Sequence, residues 1–388
     1  MRPSLRLLAD DLTGALDTAA EFVGVCGAIG VTWAEALPSR RPACLAVDTG
    51  TRERDKADSV AIVERLAPLL ADGAIADNGD AAIAYKKVDS LLRGAWAAEL
   101  GACLRTGPWT SCIVAPAFAY QGRRTIGSQQ YARAQDGSWS RVGDNLLAQL
   151  AAEGLDARPG RFDTDLPAGI SVFDAESEDD LDRIVAIGRS TRQPVLWCGS
   201  GGLAGALARG SDASASSVLR KPVLGLFGSD QSATAAQLAA CADAVIALTE
   251  TGQDNSGDHN AGLVRRKLGA ELGADGVALV KFDLATGLSR GEAARRIARG
   301  LTSLTAALGP PGTLIVAGGE TLRAVCTALG ARALEVTGRI MPGLPCSIIR
   351  GGRWDGVAVI SKSGAFGAPN LWRTLLQDNQ LIIESQHT

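Results

Sequence analysis

Residues 5–21 read LRLLADDLTGALDTAAE, an apolar run that stops at two adjacent carboxylates, Asp10 and Asp11, ahead of a Thr-Gly pair and a helix-forming stretch. A buried parallel strand delivers acidic side chains in this way to the carboxyl edge of an α/β sheet, where ligands bind in such folds. Three more segments end alike. ACLAVDTGTR brings Asp48, Thr49 and Arg52; AIAYKKVDSLLRG brings Lys86, Lys87, Asp89 and Arg93; the stretch after CIVAPAF carries Gln121, Arg123 and Arg124. In a parallel sheet all these tips converge on one crevice. The cradle suits a small polyhydroxy acid, because Arg grips a carboxylate with paired hydrogen bonds while Asp accepts from hydroxyls and can remove a proton from one.

Plainer roles compete at each position. Asp11 or Thr13 can cap the following helix, which does not exclude ligand contact. Consecutive strand residues point to opposite faces, so only one of Lys86 and Lys87 is expected to face the ligand. Asp48 can be a turn former with Arg52 as its surface partner. The convergence of the group, rather than any member, points to a site.

In the second half of the chain three strand-to-helix turns carry glycine. FGSDQSATAAQL supplies Gly228, Ser229 and Ser232; VAGGETLRAV supplies Gly318, Gly319, Glu320 and Thr321; SKSGAFG supplies Lys362, Ser363, Gly364 and Gly367. Glycine allows close backbone approach, and amide N–H groups and hydroxyls at a helix N-terminus bind phosphate oxygens, so three such turns in one sheet suggest a nucleotide site. No Gly-Lys dipeptide occurs, which removes the P-loop pattern. A G-x-G-x-x-A at Gly199, Gly201 and Ala204 reads as a tight turn, since no strand ending in an acid follows about 20 residues later as a dinucleotide site requires. The only histidines, His259 and His387, argue against a histidine triad or a zinc site.

The elements that must position these groups alternate: short β-rich runs and helices, twice over. This pattern implies βαβ crossovers and an α/β fold of two domains, each a mostly parallel sheet flanked by helices, with the active site expected in the interdomain cleft. The small, polar run GSDASASSVLRK (210–221) suits a linker, giving domains at 1–212 and 222–388. Residues 120–142 read as a long polar connection, of the kind that is functional or disordered. With 388 residues and 46% hydrophobic content, two cores are expected. A net charge of -3 recommends neither nucleic acid nor an anionic membrane as partner. Eight cysteines without C-x-x-C spacing read as reduced core residues. No signal-type core or membrane-length apolar run is present, so the expected compartment is the cytoplasm.

Together DDLTGA (10–15), DTGTR (48–52), KKVDSLLRG (86–94), APAF followed by GR (115–123), GSGGLA (199–204), GSDQS (228–232), GGET (318–321) and KSGAFG (362–367) resemble the four-carbon acid-sugar kinase family, the kinases of threonates, erythronates and 3-oxo-tetronate. The match runs in order along nearly the whole chain. It implies an N-terminal sugar-acid-binding domain, a C-terminal nucleotide-binding domain, and ATP- and Mg²⁺-dependent phosphorylation of a terminal hydroxyl. It implies substrate contacts from Asp10, Asp11, Arg52, Lys87, Asp89, Arg93 and Arg123. It implies ATP contacts from Ser229, Ser232, Gly318, Gly319, Glu320, Thr321, Gly364 and Gly367, with no metal ligands indicated. Leu91 stands where that family more often carries Thr, so the particular acid stays open.

Within that resemblance Asp11 or Asp10 is the expected base for the attacking hydroxyl. The partners are a small sugar acid and ATP, and a homodimer is compatible. The competing readings are an NAD-dependent hydroxy-acid dehydrogenase and a sugar-acid-binding protein without catalysis.

Overall fold

The computed structural model describes residues 3–72, 82–134, 136–228, 230–249, 268–270, 272–273, 276–284 and 287–382. Ser229, His259 and His387 lie outside the described residues. Two compact units divide the chain, Met1–Ser214 with Val336–Gly338, and Ala215–Glu335 with Arg339–Thr388.

In the first unit the apolar runs become β1 (Leu5–Ala9), β2 (Ile29–Trp33), β3 (Cys44–Asp48), β4 (Ile83–Lys87) and β5 (Ser111–Ala115). A small antiparallel sheet follows, β6 (Arg123–Ile126), β7 (Gln129–Arg133) and β8 (Trp139–Arg141), and then β9 (Ala157–Pro159), β10 (Gly169–Val172) and β11 (Val195–Gly199). Strands β1, β3, β4 and β5 are buried at every position, as parallel strands covered on both faces must be. Their order is β2-β3-β1-β4-β11-β5-β10-β9, and every pairing is parallel. From β1 the chain moves to one side through β2 and β3, then returns to the other side at β4. The crevice of a doubly wound sheet opens at such a reversal, beyond the carboxyl ends of β1 and β4.

Residues 120–142 are not the structureless connection that their polarity suggests. Gly127 and Ser128 both have φ of 58°, the left-handed pair of a two-residue hairpin turn, and they join β6 to β7 in antiparallel register. Polar strand residues conceal this element because Thr125, Gln129 and Gln130 are buried in hydrogen bonds rather than in an apolar core.

The second unit has β12 (Val223–Phe227), β13 (Val245–Thr249), β14 (Val277–Asp283), β15 (Thr313–Ala317), β16 (Ala333–Met341), β17 (Leu344–Arg350) and β18 (Ala358–Lys362). Their order is β13-β14-β12-β15-β18-β17-β16, parallel from β13 to β18 and antiparallel between β18 and β17. Here the reversal falls between β12 and β15. Seven of the eight cysteines are buried, Cys346 is half-buried, and all are free thiols. No helix of the described residues is long and apolar enough to cross a membrane.

One charged pair belongs to the first core. Lys86 and Glu99, fully buried from solvent, lie 2.7 Å apart. Burial opposes the ammonium, but Glu99 holds the Lys86 pKa above its ordinary value. Removing one partner strands the other charge. Glu99→Ala is therefore expected to destabilise the protein by about 3–5 kcal/mol, while the double change Lys86→Met, Glu99→Leu stays close to the parent. Chemical denaturation checks both, and an unaffected Glu99→Ala would contradict the assignment.

Candidate active site

Arg52 is the hub of the first crevice. Its Nε donates to Asp10 Oδ2 at 2.6 Å and its Nη2 to Asp10 Oδ1 at 2.9 Å, a fork-to-fork pair. The same Nη2 lies 2.6 Å from Asp11 Oδ1 and 4.0 Å from Asp89 Oδ1. The backbone sets this reach. Thr51 and Arg52 N–H donate to the Asp10 carbonyl at 3.0 and 3.1 Å, tying the tip of β3 to that of β1. Gly94, at φ 79°, lets the β4 loop pass close by, since a Cβ there would sit 3.2 Å from the Arg52 carbonyl oxygen. Arg52 is thus a largely shielded bridge among three carboxylates, its side chain 11% exposed, not a surface partner of Asp48, whose side chain accepts from Gly50 N–H as a turn former.

These contacts set the protonation states. Burial would favour a neutral Asp10, but the charges of Arg52 and Lys87 outweigh it and hold the carboxyl well below the usual range. Burial likewise opposes ionisation of Asp89, and the Arg93 hydrogen bond and Arg52 reverse that. Asp11 caps the helix Leu12–Cys26, accepting from Gly14 N–H at 2.8 Å and from the Thr13 hydroxyl at 2.5 Å, and it still borders the crevice through Arg52. Capping and site membership coexist.

The alternation along β4 separates the two lysines. Lys86 turns inward to Glu99, whereas Lys87 turns toward Gly14. A Cβ on Gly14 would meet Asp11 Oδ1 at 2.5 Å, Lys87 Nζ at 2.9 Å and Arg52 Nη2 at 3.6 Å, so this glycine leaves the space in which three charges gather. Among the described residues no carboxylate lies within ion-pair distance of Lys87, and none lies within that distance of Arg123. Arg123 is anchored by a two-way backbone bridge to Phe118 just past β5, and its Nη1 donates to the Gln121 carbonyl. Its Nε is buried without a partner, and burial lowers its pKa, with Asp89 opposing that and Arg93 reinforcing it. Arg124 turns away to Glu176 and the Trp139 ring and does not join the group.

Gln130 is a supporting residue that the sequence conceals. Fully buried, it accepts from the Thr125 hydroxyl at 2.7 Å and donates to the carbonyls of Ser90 at 2.9 Å and Pro116 at 3.2 Å, so the hairpin braces the Asp89 loop and the tip of β5. Its only signal is a polar residue at an alternating strand position.

In the second unit the three glycine turns lie side by side. A Cβ on Gly228 would come within 2.6 Å of Thr321 Oγ1, so the turns after β12 and β15 abut. Gly318, at φ 100°, donates to the Lys362 carbonyl at 2.9 Å, and the Thr234 hydroxyl donates to the Gly364 carbonyl at 2.7 Å, which brings in the turn after β18. Gly367 adopts φ 95° against Leu371 and Gln237. Ser232 opens the helix Ser232–Ala239 and Gly319 the helix Gly319–Leu329, with Glu320 exposed and Thr321 buried in its first turn. Helix N-termini and open glycine turns can hold phosphate. Among the described residues no group of three or more acidic, histidine or cysteine side chains could hold a metal ion. The G-x-G-x-x-A turn is tightly packed: a Cβ at Gly199 would sit 2.6 Å from the Ala115 carbonyl oxygen, and one at Gly201 would sit 2.7 Å from the Phe118 ring. Packing explains those glycines.

Residues 5–152 match the family model described as a sugar-binding N-terminal domain, and residues 224–371 match a nucleotide-binding C-terminal domain. The D-threonate kinase of Bordetella bronchiseptica is 30% identical over all of this chain and 99% of its own length. That of Cupriavidus necator is 30% identical over 93% of this chain and 94% of its own. A crystal structure of the Haemophilus influenzae protein HI1011 shares the fold, with a TM-score of 0.67, 15% identity, and coverage of 96% of this chain and 99% of that one.

Because Arg52 keeps Asp10 ionised, its loss leaves a buried carboxylate without its fork. Asp10 contributes stability that is present above the unfolded carboxyl pKa near ~4 and is lost as pH falls through the lower folded value. Arg52→Met is therefore expected to raise the pH at which acid unfolding begins, and circular dichroism across an acid titration would show it. An unchanged midpoint would remove Arg52 from the charge balance.

Proposed function

The chain belongs to the four-carbon acid-sugar kinase family, phosphotransferases with an alcohol group as acceptor, and from that membership we propose that it transfers the γ-phosphoryl group of ATP to the terminal 4-hydroxyl of a four-carbon sugar acid, with D-threonate as first choice. One observation carries the substrate class. Asp10, Asp11 and Asp89 face Arg52, Lys87, Arg93 and Arg123, a surplus of one positive charge, and the two cations without a carboxylate, Lys87 and Arg123, are the ones a monoanionic acid would satisfy. The choice among acids rests on the two 30%-identical relatives, both D-threonate kinases.

In this reading Arg123 takes the substrate carboxylate and Lys87 a neighbouring oxygen, while Asp89, held by Arg93, accepts from a hydroxyl. Asp11 orients the 4-hydroxyl and removes its proton. Asp10 is the poorer proton acceptor because the Arg52 fork holds its pKa down and its side chain is 5% exposed against 20% for Asp11, so its part is to position Arg52. Phosphoryl transfer asks mainly for alignment and neutralisation of charge. The nucleotide is assigned to the turns at Gly228 and Ser232, at Gly318–Thr321, and at Gly364 and Gly367. Magnesium accompanying the nucleotide would supply neutralisation of charge on the transferring group, and it usually keeps several waters, needing few protein ligands.

A coupled ADP-release assay with Mg·ATP against threonates, erythronates and 3-oxo-tetronates tests this. D-Threonate should give the highest kcat/KM. Asp11→Asn should lose about 10²- to 10⁴-fold in kcat. Arg123→Met should raise KM by about tenfold or more with kcat largely kept, in line with about 1.5–3 kcal/mol for a charged hydrogen bond. Absence of ADP release with every four-carbon acid would sink the activity. Full turnover in Asp11→Asn would sink the base assignment alone.

A further inference from the structure

Lys362 ends β18 at 1% exposure, inside the group of glycine turns. Its Nζ donates to Thr234 Oγ1 at 3.3 Å, to the Ser363 carbonyl at 3.0 Å and to the Gly364 carbonyl at 3.3 Å. Thr234 spends its own proton on the Gly364 carbonyl, so its oxygen can only accept from the lysine. The ammonium form can serve all three acceptors at once, whereas the neutral amine, with two N–H donors, can serve only two.

This charge is uncompensated. Among the described residues no carboxylate pairs with Lys362. The helix Ser232–Ala239 faces it through the neutral Thr234, the turn through two carbonyls, and β15 through Ala317 beside it in register. The acids on the neighbouring turns, Asp230 and Glu320, are exposed to solvent. Burial alone moves the Lys362 pKa, lowering it to about 7. An unpaired buried ammonium is costly unless something anionic completes it.

A second observation says where that anion would lie. A trans peptide holds its C=O and N–H on opposite sides. Drawing the Ser363 and Gly364 carbonyls toward Nζ therefore aims the N–H groups of Gly364 and Ala365 away from it, and neither N–H is engaged by a described residue. Two successive open amides backed by a cation form an anion-binding concavity.

We propose that Lys362 is a positioning residue of the nucleotide site, whose ammonium shapes the Ser363–Gly364 turn for a polyphosphate and whose charge couples nucleotide binding to uptake of a proton. The inference rests on the reading of the second unit as the ATP site. Above neutral pH the free protein holds a largely neutral amine. Bound phosphates favour the ammonium, so the amine takes a proton from solvent as the nucleotide binds, and affinity weakens as pH rises.

Calorimetric titration of the full chain with Mg·ADP at pH 8, in buffers of low and high ionisation enthalpy, reads this directly. The terminal phosphate, whose last ionisation lies near ~6, is then fully charged both free and bound. The wild type should take up on the order of one proton, and its Kd should rise by up to about tenfold per pH unit above pH 7.5. Lys362→Met should bind more weakly with neither uptake nor slope; Lys362→Arg should keep affinity with a flat profile. Wild-type binding without proton uptake would overturn the inference, as would a slope surviving in Lys362→Met, and neither outcome touches the ATP reading. No binding of Mg·ADP by the wild type would overturn the ATP reading, and this inference with it.

Discussion

Three carboxylates gather at the edge of one buried sheet, and Arg52 is the cation that reaches all of them, holding Asp10 ionised through its fork. A lysine could not do the same work, because a point charge cannot fork onto Asp10 while also touching Asp11. The arrangement fixes more than protonation. With Arg52 committed to Asp10 and Asp11, and Arg93 to Asp89, Lys87 and Arg123 are left without a carboxylate partner among the described residues. On the proposed reading, an anion would be met only after the crevice has satisfied its own carboxylates.

On the proposed reading, the two units would meet negative charge by different means. The first uses side chains, whose fixed forks can distinguish one hydroxy acid from another. The second uses backbone: Gly228 against Thr321, Gly318 in a conformation closed to other residues, and amides brought forward by turns. Backbone recognition is indifferent to what a phosphate is attached to, which suits a donor common to many reactions. Stereochemical choice would then fall to the side-chain crevice.

Much of this could be read from the chain, and the exceptions share a cause. The buried parallel strands are legible because apolar runs of about five residues ending in charged or glycine-bearing tips have few other uses. The acids of β1 and β4 and the three glycine turns stand at those tips. The hairpin of β6 and β7 is hidden because its inward residues, Thr125 and Gln130, are polar and are satisfied by one another and by loop carbonyls, a pairing that no periodicity reveals. The choice of Arg52 as hub is hidden for a similar reason, since sequence puts it beside Asp48 and only the splice of β3 onto the Asp10 carbonyl carries it across. Lys362 looks like an ordinary strand-end lysine until its three neutral acceptors are counted.

Strand β4 places two lysines in succession, one neutralised inside the fold by Glu99 and one turned to the crevice beside Gly14. Slipping the strand by a single residue would flip both to the other face, carrying Lys87 to the place opposite Glu99 and Lys86 to the buried place of Tyr85. Apolar side chains of similar size tolerate such errors, but two lysines on opposite faces, only one of them met by a buried carboxylate, do not. The pair thus acts as an alignment mark for the central strand, and an insertion or deletion within β4 would be felt first as a charge error rather than a packing one.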